Sequence, residues 1–155
     1  RLAPALRKRY PLVIAGAYGW NSAALMEEMR RLRQGGEVIY LDYVPEEDLP
    51  ALYAGAAVFA YFSFYEGFGL PVLEAMSSGV PVACAASSAL PELCAGSALQ
   101  ADPHDIDAMA AALERTLEDD SWRAAAIARG LERSAGFTWQ RTTAAVVDVF
   151  RELVA

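Results

Sequence analysis

The segment from Ser63 to Pro81 holds the residues whose types and spacing can do chemistry: Glu66, Gly67, Phe68, Gly69, Leu70, Pro71 and Glu74, closed by Gly79 and Pro81. Pro71 suits the first turn of a helix, where its missing N–H costs nothing. Gly79 suits the left-handed position after the last turn, and Pro81 stops continuation. Gly67 to Leu70 therefore sit at a helix N-terminus, where unpaired backbone amides and the helix dipole attract an anion without any Lys or Arg. The two glycines allow a ligand close to the backbone. Glu66 and Glu74 are poorly suited to bind a phosphate but well suited to accept hydrogen bonds from sugar hydroxyls beside one, as the acidic residue of a dinucleotide fold does with a ribose. A diphosphate flanked by two polyols is a nucleotide sugar. Taken alone, Gly-x-Gly at such a turn means only a tight turn; the combination is what points to a ligand.

The elements that must position this segment are short apolar runs alternating with helical stretches. Leu12–Ala15, Val38–Leu41, Val58–Phe62 and Val80–Ala85 read as strands covered on both faces, with Ala98–Ala101 as a weaker fifth. Between them, 22–33 (capped by Asn21 or Ser22), 46–54, 70–78 and 88–94 read as helices. This alternation predicts an α/β fold, an open parallel sheet with helices on both faces, and places Glu66 at the carboxyl end of a strand, where ligands bind in such sheets. After Pro103 the strands stop. Ile106, Met109, Ala110, Leu113 and Leu117 share one helical face behind Asp105; Ser121 opens a second helix that Gly136 ends; Thr138 caps a third carrying Trp139, Thr143, Val146, Phe150 and Leu153. This half is expected to be core packing, a helical cap on the sheet.

Composition sets limits. The 155 residues, 55% apolar and 21% charged, fit one domain with a real core, and the compact surface expected at this size is about 7,600 Å². Thirteen basic against twenty acidic side chains leave a net charge of −7, which argues against a nucleic-acid groove. No run of eighteen apolar residues is present, so no stretch of this chain reads as a membrane-spanning helix. Cys84 and Cys94 make neither a disulfide framework nor a zinc spacing. The chain opens at Arg1, not Met, inside what reads as a helix tail (Leu2, Leu6, Arg7, Lys8, Arg9) with no charged-then-apolar leader. The expectation is a piece of a longer protein.

The motif and its surroundings resemble the retaining glycosyltransferases of family 4, group 1. The likeness is carried by two glutamates separated by seven residues around Gly67-Phe68-Gly69-Leu70-Pro71, and by Glu74-Ala75-Met76-Ser77-Ser78-Gly79-Val80-Pro81. It extends over Leu12 to Trp20, Leu41 to Pro45, Asp48 to Tyr53, Ser88 to Glu92 and Phe137 to Trp139, essentially the whole chain. The resemblance implies a GT-B architecture of two Rossmann-like domains, of which this chain would be the C-terminal, donor-binding one, with its first strand and the N-terminal domain absent. It implies that Glu74 bonds the ribose, that the amides of Phe68, Gly69 and Leu70 hold the donor phosphates, that Glu66 (the catalytic candidate) and Gly67 contact the transferred sugar, and that Tyr43 and Val44 lie near the base. It further implies transfer with retention, without a metal or other cofactor, to a glycan or lipid-linked acceptor held by the missing domain, in the cytoplasm or at the membrane surface. The style of the loops leans to GDP-mannose, with UDP-sugars as the alternative.

Departures from the family pattern are two. The Arg and Lys that hold the diphosphate would precede Arg1, and Asp42 stands where Gly is usual. The isolated chain is accordingly expected to bind donor weakly and to show no turnover. A binding module without chemistry and another GT-B enzyme, an epimerase or a phosphorylase, are the remaining readings; the one His and the one Lys, Lys8, disfavour the latter pair. Asp105-Ile106-Asp107 matches a metal motif but sits where a helix cap is expected. His104 is expected to face solvent. Arg30, Arg31 and Arg33 suit a helix C-terminus, with contact to anionic lipid as the alternative.

Overall fold

The structure, a computed structural model, describes residues 1–17 and 23–154. Its order is α1 (Pro4–Arg9), β1 (Leu12–Ala15), α2 (Ala23–Gln34), β2 (Val38–Leu41), α3 (Leu49–Ala54), β3 (Phe59–Tyr61), α4 (Leu70–Ser77), β4 (Val82–Ala85), α5 (Leu90–Cys94), β5 (Ala98–Ala101), α6 (Ile106–Glu118), α7 (Asp120–Ala135) and α8 (Trp139–Leu153). The expected elements are all present, most with ends trimmed by one to three residues. The proposed Asn21 or Ser22 cap lies outside the described residues. The second C-terminal helix begins at Asp120 and not at Ser121, because Asp119 accepts from the Trp122 N–H and is the cap.

Every ladder is parallel, but the strands form two sheets, β1-β2 and β3-β4-β5, with no ladder joining them among the described residues. The parallel α/β arrangement is as expected, divided here between two sheets. The burial of β1 is corrected: Leu12 is 51% and Val13 42% exposed, whereas β4 is buried throughout. The accessible surface, 10197 Å², exceeds the roughly 7,600 Å² of a compact chain this size. The third C-terminal helix is exposed along its length, which overturns its assignment to the core. Nothing on α8 is buried, and Trp139, Val146, Phe150 and Leu153 are all exposed. Its cap is as expected: Thr138 accepts from the Arg141 N–H.

The core gathers under α4. Val72, Leu73, Ala75 and Met76 from its inner face meet Val82, Cys84 and Ala85 of β4 and Leu90, Leu93 and Cys94 of α5. Each fully buried large apolar side chain here contributes about 2 kcal/mol. The C-terminus of α4 closes as its glycine dictates: Gly79 is left-handed at φ 72°, its N–H bonds the Met76 carbonyl, and the Val80 N–H bonds that of Ala75. α7 packs across α4 where Gly130 is buried against Met76; a Cβ there would lie 3.2 Å from Met76 Cγ. Gly130→Val adds two methyls to that contact and is expected to cost about 2 kcal/mol, seen as a lower thermal midpoint. An unchanged midpoint would show that the two helices do not meet this closely.

The other charged signals also resolve. Asp105 caps α6, accepting from the N–H of Asp107 and Ala108. Arg30 and Arg31 pair with Glu27 and Glu28 on their own helix. Arg7 bridges to Glu37 at 3.3 Å. His104 is exposed and its ring meets Phe64 at a tilt, centroids 4.8 Å apart and planes 31° from parallel. Among the described residues no helix is long and apolar enough to cross a membrane.

Candidate functional site

The carboxyl end of β3, the loop 62–69 and the first turn of α4 form the site. Gly69 occupies the helix N-cap at φ 105°, and the Val72 N–H bonds its carbonyl. Among the described residues none accepts a hydrogen bond from the N–H of Phe68, Gly69 or Leu70. Gly67, Phe68 and Leu70 are exposed; Gly69 is buried. The turn expected to hold an anion therefore keeps these N–H groups unpartnered among the described residues, with Phe68 and Leu70 exposed.

Both glutamates flank that turn, and each carboxylate is held by a tyrosine. Tyr61 at the end of β3 donates its phenol O–H to Glu66 Oε1 at 2.7 Å. Tyr53 on α3 donates to Glu74 Oε2 at 2.9 Å. Burial, and after it the bond to the carboxylate, pushes each phenol above its ordinary range; at Tyr61 a bond with Ser63 opposes this. The tyrosines stay protonated donors. The Glu66 N–H bonds Ser88 Oγ at 2.9 Å, and Ser87 Oγ donates to the Ser63 carbonyl at 3.1 Å. Two serines of the loop after β4 thus pin the loop after β3. Ser88 does so at φ 52°, unusual for a residue other than glycine.

Phe68 is tied down from behind. It meets Phe137 edge to face at 5.9 Å, and the Arg133 guanidinium lies 4.9 Å over the Phe137 ring while bonding the carbonyls of Leu93 and Glu92. Beside α4 opens a cleft of about 660 Å³, lined by Glu46, Leu49, Pro50 and Tyr53 on one side and Glu74, Ser77 and Ser78 on the other. Its charged lining is two carboxylates and no cation. Such a cleft repels a phosphate and suits a polyol or a nucleoside. Tyr43 is 73% exposed and Val44 half-buried, and neither lines the cleft, although Glu46 follows in the same segment. Glu66, Gly67, Phe68, Gly69, Leu70 and Glu74 thus share one loop and the helical turn that follows it, and of the predicted residues only Glu74 lines the cleft.

Sequence reasoning missed Tyr53, Tyr61 and Ser88. A tyrosine closing an apolar strand five residues before a glutamate was the available signal for Tyr61; Tyr53 and Ser88 had none within their own segments.

Comparison with known proteins identifies the family. A family model described as "Glycosyl transferases group 1" matches residues 1–133. The chain belongs to the group 1 glycosyl transferases. Among similar proteins, O-antigen chain mannosyltransferase B of Escherichia coli is 48% identical over 147 residues, which is 95% of this chain and 39% of that protein. D-inositol 3-phosphate glycosyltransferase of Salinispora tropica is 37% identical over 169 residues, covering all of this chain and 35% of the relative. Among solved structures, sucrose-phosphate synthase of Thermosynechococcus elongatus superposes with a TM-score of 0.81 at 27% identity, over 92% of this chain and 38% of that one. HepE of Anabaena in complex with UDP superposes at 0.84 and 19% identity, over 97% of this chain and 42% of that one, and speaks for the fold alone. The chain thus spans about two-fifths of the length of these relatives and structural neighbours.

Proposed function

We propose that this chain is the donor-binding C-terminal domain of an enzyme that transfers a sugar, with retention, from a nucleotide sugar to a glycan or lipid-linked acceptor. The observation that carries the reading is the pairing of an open helix N-terminus, at Phe68 and Leu70, with tyrosine-held carboxylates on both sides of it. Main-chain donors suit the diphosphate, Glu74 in its cation-free cleft suits the ribose, and Glu66 and Gly67 suit the transferred sugar. The 48% identity to an O-antigen chain mannosyltransferase favours GDP-mannose, and a polysaccharide product, over UDP-sugars. Stabilisation of the leaving diphosphate by these amides, with no metal or cofactor, is the chemistry the residues supply best. The acceptor pocket and a further sheet strand belong to the part of the enzyme outside this chain, which acts in the cytoplasm or at its membrane surface.

Saturation-transfer NMR on the full-length protein tests the reading. GDP is expected to bind more tightly than UDP, and Glu74→Ala to weaken that binding about tenfold or more through loss of charge-assisted bonds. A clear UDP preference would overturn the choice of base. Binding of neither nucleotide, or undiminished binding after Glu74→Ala, would overturn the reading itself.

A further inference from the structure

Glu66 lies on a loop and Glu74 on a helix, yet their tyrosine partners belong to one aromatic cluster. Phe59 and Tyr61, two apart on β3, point to the same face and stack with centroids 5.7 Å apart and planes 20° from parallel. Tyr53 meets Phe59 edge to face, at 5.3 Å and 76°. All three rings are half-buried and pack against the core under α4. Glu66, Tyr61, Phe59, Tyr53 and Glu74 therefore form an unbroken series: carboxylate, phenol, ring, phenol, carboxylate.

We infer that Tyr61 and Tyr53 are positioning residues for the proposed transfer, each holding its own carboxylate preformed for the ligand, with Phe59 packing both rings in place. The inference rests on the donor-binding reading above. A glutamate on a loop or an exposed helix face samples several side-chain rotamers, and orienting it only when substrate arrives weakens binding or slows turnover. A phenol whose ring packs against the core removes that freedom and leaves one carboxylate oxygen free for the ligand. Burial and the carboxylate bond both disfavour phenolate, so the donor persists throughout the neutral range. The opposing explanation is that the glutamates merely satisfy two half-buried hydroxyls. The two accounts differ in what the hydroxyls control.

In the full-length enzyme, Tyr53→Phe and Tyr61→Phe keep the rings and remove only the hydroxyls. Tyr53→Phe is expected to raise the donor KM and weaken GDP binding about tenfold with kcat little changed. Tyr61→Phe is expected to lower kcat about tenfold with KM little changed. A purely structural role predicts instead a lower thermal midpoint with unchanged kinetics per folded molecule, or KM and kcat moving together in both variants; either result overturns the inference. The cycle with Glu66→Gln supplies a readout independent of folding yield: Tyr61→Phe is expected to cost nothing further in kcat once the Glu66 charge is gone, and full additivity would show that Tyr61 does not act through Glu66 and would overturn its positioning role. Glu74→Ala run alongside separates the two levels. If it weakens GDP binding and Tyr53→Phe does not, the positioning role fails and the donor-site reading stands; if it leaves GDP binding intact, the donor-site reading fails.

Discussion

Gly69→Ala is expected to lower the thermal midpoint by about 10 °C, the largest stability loss of any single methyl added to the 63–81 segment. Two effects act together. Gly69 sits at φ 105°, a conformation that strains any residue with a Cβ. Its Cβ would also lie 2.7 Å from Leu90 Cδ2 and 3.0 Å from Leu93 Cδ2. Leu90 is wholly buried and Leu93 nearly so, so neither methyl can swing into solvent. Strain and overpacking together come to about 4 kcal/mol. Gly67 is the internal control. Nothing lies within 4 Å of a Cβ built there, and the residue is exposed, so Gly67→Ala should shift the midpoint little. Calorimetry on the two variants checks both statements; equal losses would refute the packing argument.

Glu66→Gln is expected to cut kcat of the full-length enzyme about a hundredfold, the scale of a lost electrostatic contact to a developing charge. The substitution is nearly isosteric. Tyr61 can still donate to the amide oxygen, and the backbone N–H still reaches Ser88 Oγ, so the loop keeps its two anchors. Only the side-chain charge is lost. The thermal midpoint should therefore hold while the transfer rate falls, as a steady-state assay with matched melting curves would show. Undiminished turnover would mean that Glu66 does not touch the reacting sugar, and would favour the noncatalytic binding-module reading.

The two glycines show how far the motif could be read. From Gly-x-Gly at a strand–helix turn, both were expected to let a ligand approach the backbone. In the structure Gly67 is open to that role, while Gly69 is required first by α5 packed behind it. α8 shows a different limit. Its apolar period is plain, and the cap at Thr138 is where it was expected, yet Trp139 and Phe150 face solvent. A helical period identifies an apolar face and says nothing of what covers it.

What the amino-acid sequence determined by itself is local. The order of strands and helices, the start of α4 near Pro71, its stop at Gly79, the Asp105 and Thr138 caps, and the family motif with both glutamates all depend on interactions spanning a few residues. The tertiary structure alone decided which strand edges pair, that Gly69 is locked beneath Leu90 and Leu93, and that Tyr53 meets Glu74 while Ser88 meets Glu66. Those partners stand 21 and 22 residues apart in the chain. Contacts of that separation leave no period or spacing in the sequence, because they arise only when separate elements are packed around the same core.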